Sequence, residues 1–99
     1  MIISGGENVY PAEVERVLLE HPDILDAAVI GVPDERWGET GAAFVIARPG
    51  RQPDPAALLT WLRTRLAGYK LPRHWRLVDD FPRTAAGKVR KPDLKRDFA

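Results

Sequence analysis

Cysteine is absent from the 99 residues, so disulfides and thiolate metal sites are excluded. Histidine occurs twice, at His21 and His74, too few for a convincing metal cluster. No apolar run approaches the ~20 residues needed to span a bilayer. The start, Ser4-Gly5-Gly6-Glu7 after three apolar residues, lacks the basic-then-apolar pattern of a secretory signal. There is no internal repeat and no low-complexity tract. The expectation is a soluble, cytoplasmic protein with no transmembrane segment and no metal site.

Hydrophobic residues make up 44% of the chain, enough for globular folding. The length allows one domain, residues 1–99, with a single modest core. The formal net charge of +1 hides a division. Residues 1–47 carry nine acids and two Lys/Arg, whereas residues 48–99 carry thirteen Lys/Arg and five acids. A basic second half suits an anionic partner such as a nucleotide or a nucleic acid. It is equally compatible with attraction between the two halves, or with a solvated basic face.

Punctuation residues divide the chain into elements. Met1–Ser4 reads as a short strand closed by the Gly5-Gly6 turn. Pro11 fits the first turn of a helix, with Glu13 well placed for its dipole. Val14, Val17 and Leu18 give that helix one apolar face, and His21-Pro22 ends it. Ile24–Val32 and Gly41–Ala47 are β-branched apolar runs that predict buried strands, with Pro33–Gly38 as the connection. Asp54-Pro55 predicts a helix start, N-cap then N1, and Gly68 its stop. Trp75–Val78 reads as a strand with Trp75 and Leu77 on one face, and Pro92–Phe98 as a last helix. Trp61 and Trp75 are spaced as core or half-core residues. The order predicts an α+β fold, a small, mostly antiparallel sheet packed with helices.

Three features carry candidate chemistry. Pro82-Arg83-Thr84-Ala85-Ala86-Gly87-Lys88 places one lysine after a glycine, on a stretch too small and broken to be core. Lysine is a compact charge suited to phosphate and carboxylate, and glycine lets the backbone approach a ligand. Lys91 and Lys95 share the charge without the motif and are expected to be solvated. Gly5-Gly6-Glu7-Asn8 can be a plain hairpin turn, or backbone that a thin ligand must pass closely. Glu7 and Asn8 are expected to orient it through side-chain bonds. Trp37 sits in a connection, and Tyr69 just after the helix stop, where aromatic rings either pack or stack on a base. Nearby Arg or Lys residues can pair with phosphates.

Ile2 to Glu15, Gly31 to Glu39, Tyr69 to Arg73 and Pro82 to Lys88 occur in this order. Together they resemble the small C-terminal domain of the adenylate-forming enzymes. That superfamily contains acyl-CoA synthetases, nonribosomal-peptide adenylation domains and luciferases. Gly-Gly-Glu-Asn-Val-Tyr-Pro looks most like the acyl- or aryl-CoA synthetase branch. The resemblance implies a mobile domain of an acid–thiol ligase that makes acyl-CoA from a carboxylate, ATP and CoA. It assigns Lys88 as the catalytic lysine of adenylation. It assigns Gly5, Gly6 and Glu7 to the passage for the pantetheine arm of CoA, and Trp37, Tyr69 and Arg73 to the CoA nucleotide. Leu71 departs from the pattern, since some relatives carry a second basic residue there.

The same resemblance implies that the large N-terminal adenylation domain, the hinge and the acyl pocket lie outside this chain. The hinge would fall just before Met1. The domain alone is then expected to be inactive, with Mg²⁺ needed only by the complete enzyme. The alternative is a free-standing interaction or regulatory module, or a substrate of a lysine acyltransferase acting at Lys88. Nucleic-acid binding through the six Lys/Arg of Arg83–Arg96 is disfavoured, because no aromatics interleave the charges.

Overall fold

The computed structural model describes residues 1–98. Strand β1 (Ile2–Ser4) turns back into β2 (Glu7–Val9) and then enters helix α1 (Pro11–Leu18). β3 (Ile24–Asp34) and β4 (Gly38–Ala47) follow as a long hairpin. Helix α2 (Pro55–Arg63), a 3₁₀ turn at Gly68–Lys70, β5 (His74–Leu77) and α3 (Lys91–Phe98) complete the chain. The sheet runs β2-β1-β4-β3, with β5 also paired to β4. β5 is parallel to β4 and the other pairings are antiparallel. The α+β expectation holds.

Strand alternation sorts the core into two layers. Ala27 and Val29 of β3, with Ala43 and Val45 of β4, meet Val14 and Leu18 of α1 and Leu58 and Leu62 of α2. The intervening Ala28, Ile30, Ala42 and Phe44 face the other way, against Phe81 and Leu94, with Val89 and Phe98 packed at the margin. Leu18, Leu58 and Leu62 are fully buried, and truncating such a leucine to alanine costs about 2–5 kcal/mol.

Several boundaries differ from the sequence reading. β2 was not anticipated, because Glu and Asn are poor strand formers. It forms because Gly5 and Gly6 both take positive φ, 58° and 83°, the geometry of a tight hairpin turn. The Pro33–Gly38 connection shrinks to Glu35–Trp37, since the β3–β4 ladder extends to Pro33↔Glu39 and Asp34↔Gly38. Pro33 is tolerated because β3 lies at the sheet edge. Asp54 caps α2 by accepting from the Ala57 amide at 3.3 Å. That helix ends at Arg63, before Gly68. There the Thr64 hydroxyl and the Arg65 guanidinium both donate to the Trp61 carbonyl, offering it partners other than the next helical amide. Leu77 shares a strand face with Trp75 yet remains 45% exposed.

The charge division is partly internal. Arg51–Asp23, Lys70–Glu13, Arg83–Asp26 and Lys91–Glu15 each join the basic half to the acidic half. Lys91 is therefore paired, at 2.7 Å, rather than simply solvated. Glu15 has a second task. Its Oε2 accepts from the Val29 amide at 2.8 Å, covering a donor on the exposed edge of β3.

Glu15→Gln is expected to keep the Val29 bond and lose the ion pair, costing about 0–1 kcal/mol. Glu15→Ala loses both and leaves the amide without its partner, a cost of about 1–3 kcal/mol. Urea unfolding midpoints of the two variants check the order.

Candidate functional site

Trp37 is fixed by its neighbours before any ligand is considered. The Asp34 carboxylate accepts from the Arg36 amide at 2.8 Å and the Trp37 amide at 2.9 Å. This local turn fixes the backbone that carries the ring. The guanidinium carbons of Arg36 and Arg73 lie 4.9 and 4.6 Å from the ring centroid, within cation–π range. The Trp37 carbonyl accepts from the Gly5 amide at 2.8 Å. A β-carbon at Gly5 would stand 2.8 Å from the indole. Gly5 is thus required by the tryptophan as well as by its own backbone. Gly6 has open space where a β-carbon would be.

Trp37 opens onto a cavity of about 540 Å³ between the hairpin, α2 and the segment leading into β5. Trp37, Tyr69, Arg63 and Arg73 line it with the apolar side chains of Leu59 and Leu71. Tyr69 is 42% exposed. Lys70 beside it pairs with Glu13 of α1 at 2.9 Å. Hydrogen bonding to Glu13, against some desolvation, raises the Lys70 pKa. The pair's contribution to stability is present below the ordinary lysine pKa and fades only as pH rises through the raised one, so it holds throughout the neutral range. The Arg73 amide donates to the Gly41 carbonyl at 3.0 Å, which sets that residue against β4.

The cavity therefore gathers Trp37, Tyr69 and Arg73, and Gly5 touches it through the indole. Gly6 and Glu7 sit further along the hairpin and do not line it. Glu7 and Asn8 are β2 residues paired to Ser4 and Ile3. Among the described residues neither makes the side-chain hydrogen bond expected of it. Arg63 was missed because it ends a helix, where a basic residue needs no other explanation. Its signal was position: it lies on the helix whose apolar face packs beneath the cavity. Arg63 supplies a cation to the pocket in which Leu71 is apolar.

Lys88 lies apart from this cavity. Its turn follows Phe81 on the opposite face of the sheet, where Phe81 and Val89 enter the second core layer. Gly87 has φ 87°. The Thr84 amide donates to the Lys88 carbonyl at 2.8 Å, the Gly87 amide to the Thr84 carbonyl at 2.9 Å, and the Lys88 amide to Thr84 Oγ1 at 3.2 Å. Lys88 itself is exposed. Hydrogen bonding to Asp26 and then Asp80, against desolvation, raises the Arg83 pKa. Among the described residues no three His, Cys, Asp or Glu side chains gather as a metal site.

Residues 13–88 match the family described as the AMP-binding enzyme C-terminal domain. The chain belongs to that family. It is 54% identical over 98 residues to a feruloyl-CoA synthase of Amycolatopsis, covering 99% of this chain and 20% of that protein. It is 58% identical over 95 residues to a 3-[(3aS,4S,7aS)-7a-methyl-1,5-dioxo-octahydro-1H-inden-4-yl]propanoyl:CoA ligase of Mycobacterium tuberculosis, covering 96% and 19%. A solved fatty acyl CoA synthetase of Mycobacterium tuberculosis superposes with a TM-score of 0.92 at 45% identity, covering 99% and 19%. The chain thus spans about a fifth of the length of the relatives it matches. The fold expected from sequence is the fold of this solved relative.

The two hairpin glycines are expected to respond differently to substitution. Gly6→Ala meets only its positive φ, a cost of about 1 kcal/mol. Gly5→Ala adds the collision with Trp37, should cost more, and should displace the ring. Urea midpoints and the Trp37 indole N–H resonance read the two effects separately.

Proposed function

We propose that this chain is the mobile C-terminal domain of an ATP-dependent acyl- or aryl-CoA synthetase. The observation that carries the reading is the placement of its two candidate sites on opposite faces of one sheet. Lys88 projects from one side, and the Gly5–Trp37 cavity opens on the other. A domain that rotates against a larger partner can present each face in turn.

In the first half-reaction a carboxylate oxygen attacks the α-phosphorus of ATP and pyrophosphate leaves. Lys88 places a positive charge where the carboxylate and phosphoryl oxygens crowd together. In the second, the CoA sulfur attacks the acyl carbonyl and AMP leaves. Trp37 and Tyr69 offer flat faces for adenine, Arg73 and Arg63 offer cations for phosphates, and the open space at Gly6 admits the thin pantetheine arm. Glu7 stands at the mouth of that path on β2.

The donor set fits a nucleotide: aromatic faces beside guanidinium groups in a cavity with no acidic lining residue among the described residues. The relatives bear names of chemically different acids, yet resemble this chain to a similar degree. That supports a role in the steps these enzymes share, with the acid chosen by the large N-terminal domain. Mg²⁺ would be held there with the ATP phosphates.

In the complete synthetase, with ferulate and decanoate as trial acids, Lys88→Ala should lower adenylation by about 10²–10³-fold. Thioester formation from a supplied adenylate should be spared. Equal loss of both half-reactions would sink the assignment. For the cavity, CoA titrated into the ¹⁵N-labelled chain should shift Gly5, Gly6, Glu7, Trp37, Tyr69 and Arg73, and less strongly as salt rises. Absence of shifts at millimolar CoA would count against a site preformed in this domain.

A further inference from the structure

Local hydrogen bonds shape the turn that carries Lys88, but they do not aim it. All of Arg83–Lys88 is exposed, and nothing lies within 4 Å of a β-carbon built on Gly87. The turn's backbone bonds, including Arg90 N–H to the Pro82 carbonyl at 2.7 Å, join its own residues, and only the Arg90 carbonyl at its base reaches out, to the Asp93 and Leu94 amides of α3. Phe81 and Val89 anchor the base of the turn in the second core layer, but these bonds would be kept if its exposed tip, Arg83–Lys88, tilted on that base.

Arg83 resists that tilt. Its Nη2 donates to Asp26 Oδ2 on β3 at 3.1 Å, its Nη1 to the Gly87 carbonyl at 3.3 Å, and its Nε to Asp80 Oδ1 at 3.4 Å. Among the described residues, the bond to Asp26 is the one hydrogen bond from residues 82–90 to the sheet. A single planar group thus holds the strand, the acidic residue before the turn, and the carbonyl adjoining Lys88. A lysine could not make the same fork.

We propose that Arg83 is a positioning residue for Lys88: by tying the Gly87 carbonyl to Asp26 of β3 and to Asp80, it fixes the direction in which the lysine leaves the domain. The inference rests on the adenylation role proposed for Lys88. Stability and rate should separate at this position. Exposed ion pairs contribute about 0–1 kcal/mol, so the fold survives their loss. A misplacement of about 1 Å in a reacting geometry can cost about a hundredfold in rate.

The test uses the complete synthetase and whichever of ferulate or decanoate it adenylates. Arg83→Ala should lower kcat for pyrophosphate exchange about tenfold to a hundredfold. KM for ATP and thioester formation from supplied adenylate should stay within about twofold of wild type. Arg83→Lys should fall between, since one ammonium reaches fewer of the three acceptors. In the 99-residue chain, Arg83→Ala should lower the heteronuclear NOE of the Gly87 and Lys88 amides and leave β3 and β4 unchanged.

Undiminished pyrophosphate exchange by Arg83→Ala, or parallel loss of both half-reactions, would overturn the proposal. So would an unchanged NOE at Gly87 and Lys88. Lys88→Ala run alongside separates the two ideas. If it is inactive while Arg83→Ala is normal, the positioning role fails alone. If Lys88→Ala adenylates normally, the role of Lys88 fails and that of Arg83 falls with it.

Discussion

β4 is paired on both of its edges and covered on both of its faces, and the rest of the chain is arranged around that burial. β3 runs along one edge, while β1 and β5 share the other. Residues Thr40 to Ile46 are buried without interruption. Such a strand cannot alternate apolar and polar residues, which is why its sequence reads as a continuous apolar run. It also needs small residues where neighbours come closest. A β-carbon at Gly41 would sit 3.4 Å from the Cα of Pro72, and Ala42 and Ala43 continue the narrow stretch. Through the Gly41 carbonyl and Pro72, β4 fixes the segment that delivers Arg73 to the cavity. At its start, Gly38 meets Ser4 and brings the β1–β2 hairpin up against Trp37. The central strand therefore sets the distance between parts of the cavity that are far apart in sequence.

The helices and the long strands were legible because each rests on a local rule. Pro11 and Asp54-Pro55 mark helix starts by backbone chemistry, and Val14/Leu18 and Leu58/Leu62 mark the faces to be buried. β2 was not legible. Its residues have no strand preference, and its existence depends on two consecutive positive φ angles and on pairing with β1. The end of α2 was misplaced for a similar reason: side chains at Thr64 and Arg65 compete for a helix carbonyl, and no glycine is needed to stop it. Of the candidate site residues, Trp37, Tyr69 and Arg73 were recognisable by type and motif. Their meeting in one cavity was not, because it depends on β5 lying parallel to β4. Arg63 and Asp34 were overlooked because a basic helix terminus and an acidic turn residue have ordinary explanations.

Gly5 illustrates how one residue can answer to two demands. In the sequence a glycine here serves either a plain hairpin turn or the close passage of a ligand. Its place in the fold gives a nearer cause, since the Trp37 ring occupies the space a side chain would need. Gly6 shows the opposite case: its β-carbon would meet nothing, so its glycine serves the turn and leaves the surface open. A ligand following the hairpin would thus find a rigid wall at Gly5 and Trp37 and free space one residue on.

The division of charge follows the same economy of position. Four basic residues of the second half are held by acids of the first, and those pairs lie where elements must be joined: α1 to the Tyr69 turn, α1 to α3, β3 to the Lys88 turn, and the end of β4 to the start of β3. Basic residues at the two candidate sites, Lys88, Arg63 and Arg73, have no acidic partner among the described residues. An acid beside them would offset the field that an anion must feel and would compete for the same donors. Lack of an acidic partner does not by itself mark a site, since Arg16, Arg48 and Arg76 are likewise without one among the described residues; it leaves Lys88, Arg63 and Arg73 with their charge uncompensated. Arg83, by contrast, is neutralised by Asp26 and Asp80 yet bonded to the residue beside that lysine.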